Sequence, residues 1–195
     1  MPSETLNVGD QRPGGRAARV RSAVLQAAFE LLKENSYYGF SIEDVADRAG
    51  VHKTTIYRRW PTKVLLVTDA ARNHSDSRVP IPDTGTLRND LQAFARSVAS
   101  NIGSIDGAHA ARSTIISAFQ SEDLAEEMHT FWAERLAASA VIIERAVARG
   151  ELPATSDPQL IIETLIGPLW VRLMLTGEPV DENLADRVAA LLVGA

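Results

Sequence analysis

The chain has 195 residues, 45% hydrophobic and 23% charged, the makeup of a soluble globular protein with room for one good-sized domain or a small one joined to a larger one. It has no cysteine, which excludes disulfides, thiolate zinc sites and cysteine nucleophiles and fits a reducing cytoplasm. A net charge of −5 argues against a nucleic-acid partner only until it is divided: residues 1–72 carry 11 basic and 8 acidic groups, residues 73–195 carry 9 and 17, and a phosphate surface responds to charge within ~8 Å.

Residues 1–15 contain Pro2, Gly9, Pro13, Gly14 and Gly15 without helical or strand period, and read as a mobile basic tail. It is a solvated terminus or an arm against DNA; Arg12 leads on to Arg16, Arg19 and Arg21. Helix periodicity begins at about Ala17 and runs to Glu34 through Val20, Val24, Ala27, Ala28, Leu31 and Leu32. Phe40 precedes Ser41 as a staple residue would. Ser41 is a good N-cap with Asp44 three residues on, so a helix is expected from Ile42 to Ala49, stopped by Gly50. A second helix, about Lys53 to Trp60, ends before Pro61.

Ile42, Val45, Ala46, Ala49, Val51 and Ile56 are spaced to close these two helices on each other. The second is left with His52, Lys53, Thr54, Thr55, Tyr57, Arg58 and Arg59 exposed, the groups that meet phosphate oxygens and base edges in a major groove. That is a helix-turn-helix with a recognition helix. Thr62 can cap a fourth helix, from Lys63 to about His74, with Lys63 in its first turn. A cation there opposes the helix dipole, so folding alone gives it little reason, whereas a phosphate contact does.

From Ser41 to Leu66 the sequence resembles the tetracycline-repressor (TetR) family of bacterial transcription regulators, in Val45-Ala46, Ala49-Gly50-Val51, Thr55-Ile56-Tyr57, Trp60 and Lys63. His52 departs from the pattern, since the family often places a capping Ser there. The resemblance implies a DNA-reading unit at 16–74 and a ligand-binding and dimerisation domain at 75–195. Base reading then falls to His52, Lys53, Thr54 and Arg58, and phosphate positioning to Ser41, Thr55, Tyr57 and Lys63.

Pro80, Pro82 and Gly85 mark the boundary between the two parts, and every periodic segment beyond it is helical. Helices are expected from Leu87 to about Gly103, His109 to Phe119, Leu124 to Val147, Pro158 to Thr176, and over 182–192, for an all-α protein of about nine helices. The helix from Pro158, about 28 Å long, is apolar on much of its circumference and should kink at Gly167-Pro168. The longest uncharged apolar run, Leu165 to Val171, is too short to cross a membrane. By the resemblance, the last two helices pair with a second copy, placing Leu165, Leu169, Leu173, Leu184, Val188 and Leu191 at a homodimer interface.

Asp106, His109 and Ser113 are near one another in sequence but lack the strained turn and oxyanion hole of a hydrolase. Glu122, Asp123, Glu126 and Glu127 suit a helix's first turn, and His129 has no second histidine at ligand spacing. Neither catalysis, metal nor cofactor is expected. Phe94, His109, Phe119, Met128, Trp132 and Trp170 are candidates for a pocket that takes a small-molecule effector. The expected function is a cytoplasmic, homodimeric repressor released from a palindromic operator in double-stranded DNA by that effector, with no membrane partner. Two other classes fit the same residues: a DNA-binding regulator without an effector, and a helical interaction module that keeps the motif.

Overall fold

The computed structural model describes residues 15–194 and contains helices and no strand among them, the all-α class that the periodicity predicts. The predicted tail therefore lies outside the described residues, except for Gly15. α1 spans Arg16–Asn35, α2 Ile42–Ala49, α3 Lys53–Tyr57, α4 Lys63–Arg78 and α5 Leu87–Gly103. α6 is Ile105–Ala118, α7 Glu122–Ala148, α8 Pro158–Val171 and α9 Glu182–Leu192. A 3-10 turn, Tyr37–Gly39, joins α1 to α2, and a π-turn, Arg172–Thr176, prolongs α8. Thr62, Thr86, Ser104, Ser121, Asp157 and Asp181 each accept the backbone N–H three residues on, satisfying one free donor at the start of their helices.

Four boundaries depart from the sequence reading. α3 closes at Tyr57, although the Trp60 N–H still bonds to Ile56 O at 2.8 Å. α4 runs to Arg78 rather than His74, because nothing breaks it before Val79, which leaves the helical region ahead of Pro80. α6 starts at Ile105 rather than His109. Gly107 in its first turn is a site of close approach, where a Cβ would lie 1.8 Å from Asn101 O. At the end of α8 the backbone widens into the π-turn, whose Leu173 carbonyl accepts from Arg112 Nε at 3.0 Å.

Two apolar cores organise the chain. In the first, Val24, Leu25, Ala28, Phe29 and Leu32 of α1 close on Val45, Ala46, Ile56, Trp60, Leu66 and Val67, and the cluster continues into Ala110 of α6 and Leu124, Met128 and Phe131 of α7. α2 and α3 are too short to bury a core of their own; α1 and α4 supply the walls, and α6 and α7 back them. The second core gathers α5, the C-terminal half of α7, α8 and α9. The connection from Val79 to Thr86 is tied down: the fully buried Asp90 carboxylate accepts from the Thr84 N–H and hydroxyl at 2.6 and 2.7 Å, and Arg145 donates to Pro82 O.

Most of the leucines expected at the interface face inward within one chain. Leu165, Leu169, Leu173, Leu184 and Val188 are buried in the second core of their own chain, and only Leu191 is exposed. Periodicity cannot say which side of an all-round apolar helix faces inward. The open side of α8 and its π-turn carries Leu160, Val171 and Leu175, with Thr164 and the half-buried Gly167 and Pro168 between them. Pro158–Thr176 is also long and apolar enough, 19 residues at mean hydropathy 1.3, to cross a membrane by length and composition alone, which the short uncharged run within it does not show. Only 22% of its most apolar stretch is buried, so the chain by itself leaves much of this helix uncovered.

Candidate nucleic-acid interface

The reading head is assembled by local chemistry that the sequence specifies. Ser41 and Asp44 form a reciprocal capping box: the Ser41 hydroxyl accepts from the Asp44 N–H, and Asp44 Oδ2 accepts from the Ser41 N–H and hydroxyl, both at 2.7 Å. These bonds hold the Asp44 carboxyl below its ordinary pKa and leave Ser41 no free donor for a phosphate. Gly50 adopts φ 65°, the left-handed cap that lets the Val51 N–H return to Ala46 O at 3.0 Å.

α3 is then pinned by the fully buried Ile56 and presents His52, Lys53, Thr54, Tyr57, Arg58 and Arg59 to solvent, with Thr55 half-buried at its edge. His52 takes the N-cap position without a side-chain cap bond, so its imidazole is left to the solvent side. Lys53 pairs with Glu43 at 3.2 Å, both well exposed, a contact that a phosphate or base edge can displace at little cost.

Two further contacts fix how the head sits. Asp69 on α4 accepts from Arg21 of α1 at 2.8 and 3.0 Å and from the indole N–H of Trp60 at 2.9 Å, joining α1, the end of the recognition unit and α4 at one carboxylate. Lys63 donates to the carbonyls of Tyr37 and Phe40, and its ammonium lies 3.9 Å from the Phe40 ring centroid and 4.7 Å from that of Tyr37. The expectation that folding gives Lys63 little reason is therefore corrected: it binds carbonyls left free in the turn between α1 and α2. Burial holds this ammonium below its usual pKa.

Between α1 and α3 lies an open cleft of ≈ 770 Å³ whose lining includes Arg16, Arg21, His52, Thr55, Arg58 and Arg59. Arg16 and Arg59 thus share the surface of the expected contact residues although the motif does not single them out. The signal was in the sequence: Arg16 opens the first helix, and Arg59 stands among the exposed cations of the second.

Behind the head is a small chamber of ≈ 90 Å³. Phe29 and Leu32 of α1 and Ala71, His74 and Ser75 of α4 form one side; residues of α5 to α8, among them Met128, Trp132 and Trp170, form the other. Of the six pocket candidates these last three line it. Phe94 is instead packed in the second core, and Phe119 is 87% exposed at the end of α6. His109, on the outer side of α6, meets Ser36 Oγ at 3.2 Å. Asp106 and Ser113 likewise bind the end of α1 and the turn after it, through Lys33 Nζ at 2.8 Å and the Tyr37 N–H at 2.9 Å, so the would-be triad is spent on docking α6 to the reading head. His74 stacks on Phe29 with centroids 3.8 Å apart and meets Asn101 Oδ1 at 2.9 Å, and burial lowers its pKa.

A short helix locked by its neighbours, with cations and hydroxyls on its open face and an all-helical body behind it, defines a helix-turn-helix DNA-binding regulator. The sequence profile described as "Bacterial regulatory proteins, tetR family" matches residues 24–70, and that of "Tetracyclin repressor-like, C-terminal domain" matches residues 81–192. The chain belongs to the TetR family of transcription regulators, which are not enzymes. It is 33% identical to the HTH-type transcriptional regulator AqdR of Rhodococcus erythropolis over 183 residues, 94% of this chain and 88% of that one. It is 32% identical to the DNA-binding transcriptional repressor TetR of Mycobacteroides abscessus over 179 residues, 88% and 93% of the two chains. The TetR-family regulator SCO0332, of solved structure, superposes with a TM-score of 0.77 at 31% identity, covering 91% of this chain and 98% of that one.

Proposed function

We propose that the protein is a cytoplasmic, homodimeric repressor whose two α3 helices enter successive major grooves of a palindromic operator and that a small molecule in the chamber releases it. One observation carries this reading: a single cavity takes one wall from α1 and α4 of the reading head and the other from α5 to α8. At ≈ 90 Å³ the chamber is smaller than the ~150 Å³ that holds a benzene, and far below the ~300–1,000 Å³ of drug-sized sites. A ligand of useful size must therefore part the two walls, moving α4 and with it the head. DNA and ligand then oppose each other through one coupling free energy, typically ~1–3 kcal/mol.

The partner copy docks on the open side of α8 and on α9, through Leu160, Val171, Leu175 and Leu191 rather than through the core leucines. A two-fold axis there sets the two heads against an inverted repeat. His52, Lys53, Thr54 and Arg58 read bases; Thr55, Tyr57 and Lys63 contact phosphates, joined by Arg16 and Arg59 from the same cleft.

The test is selection of duplexes from a random library, with the enriched site titrated at two salt concentrations. An inverted repeat bound by two chains, with affinity falling steeply as salt rises, supports the reading. Enrichment of no sequence, or of a single half-site bound by one chain, refutes it. The smallness of the chamber favours one second reading, a DNA regulator with no small-molecule effector; a site whose occupancy no compound changes selects it.

A further inference from the structure

The chamber's lining is chemically one-sided. Phe29, Phe131, Trp132 and Trp170 surround it with aromatic surface, and no Asp, Glu, Lys or Arg is among the described residues that line it. Burial lowers the pKa of its histidine, His74, which disfavours the charged form. An ion entering such a space would lose its hydration with no counter-charge to replace it. The polar side chains in the wall are few, and three of them are already bonded in two contacts: His74 to Asn101, and Thr114 Oγ1 to Ala110 O.

One is not. Trp170 stands edge-on to Trp132 with centroids 5.1 Å apart, and its indole N–H is buried with no acceptor among the described residues. Buried donors are almost always paired, and an unpaired one lowers the stability of the empty state. A bound acceptor relieves that penalty. A second cavity adjoins the chamber. A wider, polar cleft lined by Ser77, Ser97, Ser100 and Ser104 shares Phe29, His74, Asn101 and Gly107 with it, so the Phe29–His74 stack and the His74–Asn101 contact lie where the two meet.

Resting on the effector reading above, we infer that the ligand is an uncharged, flat, mainly aromatic molecule of one or two rings with a single hydrogen-bond acceptor, a carbonyl or ring nitrogen, directed at the Trp170 N–H. The rings stack among Phe29, Phe131 and Trp132, and carboxylates and phosphates are excluded. Entry displaces His74, and because His74 is on α4 and Phe29 on α1, the same step acts on the reading head.

Three probes of similar size test this on the full chain by calorimetry: 1-tetralone, with rings and one carbonyl; tetralin, which lacks the acceptor; and 1-naphthoate, which carries a charge. Tetralone is expected to bind about tenfold more tightly than tetralin and naphthoate not at all. Trp170→Phe keeps one aromatic ring and removes the N–H, and should abolish the preference for tetralone over tetralin. Ala111→Leu, which fills the chamber from a lining position, should weaken both. Equal binding of tetralone and tetralin, tighter binding of naphthoate, an unaltered preference in Trp170→Phe, or no binding by any probe overturns the inference. If tetralone binds as expected but leaves affinity for the selected duplex unchanged, the ligand class stands and the release mechanism fails.

Discussion

Replacing Lys63 by methionine keeps most of the unbranched stem of the side chain and removes its charge and its donors. Hydrogen bonds from a charged donor contribute ~1.5–3 kcal/mol and cation–π contacts ~0.5–1 kcal/mol, and Lys63 makes two of each, with Tyr37 and Phe40. Desolvation of the half-buried ammonium, visible in its lowered pKa, offsets much of that, and water can reach the freed carbonyls in part. A net loss of ~1–2 kcal/mol remains, which for a chain of this length lowers Tm by about 2–8 °C. An ammonium has three N–H donors, so two bonds to carbonyls leave one for a phosphate. Loss of one phosphate contact reduces the slope of log affinity against log salt by about 0.9, equally on every sequence. Thermal melts and duplex titrations at several salt concentrations measure both effects on one preparation. An unchanged melt would show that the carbonyl contacts do not support the head, and weaker binding at an unchanged slope would show that Lys63 acts only through the fold.

Asp69→Ala strips Arg21 and Trp60 of their common acceptor; a double-mutant cycle with Trp60→Phe should return a coupling of about 1 kcal/mol, and additive losses would mean the indole bond contributes nothing. Gly107→Ala forces a Cβ onto Asn101 O and should cost ~1–3 kcal/mol in a thermal melt, so a variant as stable as the parent refutes the close approach between α5 and α6. Leu175→Asp on the open side of the π-turn should give a folded monomer by gel filtration, whereas Leu165→Ala in the core should lower stability by ~2–5 kcal/mol; the reverse pattern would restore the leucines first expected at the interface. Burial lowers the pKa of folded His74 below 6.5, so the unfolded chain takes up the proton first as pH falls. Its stability contribution is thus unaffected well above pH 6.5 and declines as pH drops through that value towards the folded pKa; His74→Phe should show a shallower loss of Tm between pH 7.5 and 5, and an identical loss refutes the assignment.

The reading head was legible almost to the residue because its signals are local. A serine and an aspartate three apart make the capping box, a glycine at positive φ ends α2, and a buried isoleucine sets which side of α3 is open. Lys63 was legible as an oddity, a cation at a helix start, but its carbonyl partners lie 23 and 26 residues away and no spacing rule names them. α6 was the hardest. It buries Ser113, Thr114 and Ser117 and exposes Ile105, Ile116 and Phe119, the reverse of what hydropathy expects. Thr114 returns its hydroxyl to a carbonyl of its own helix and Ser113 accepts from the distant Tyr37 N–H, so one local and one tertiary partner satisfy groups that the sequence shows only as polar. The chamber was half legible for a related reason: aromatic residues marked it, but Phe119 and Phe94 have the same composition and differ only in which side of their helices faces it.

That inverted α6 also bears on how a ligand would act on DNA binding in the proposed repressor. Lys33–Asp106, Ser36–His109 and Tyr37–Ser113 are three polar contacts in a row between the end of α1 and one helix of the chamber wall. Lys63 grips the same Tyr37–Phe40 turn from the opposite side, at the start of α4. The turn that enters α2 is thus held by α6 on one flank and α4 on the other, and both helices line the chamber. A ligand that parts α4 from α6 cannot leave both sets of contacts intact. Polar contacts lose strength over a few tenths of an ångström and are restored as abruptly, whereas apolar surfaces slide, so this seam favours two discrete positions of the head over a continuum.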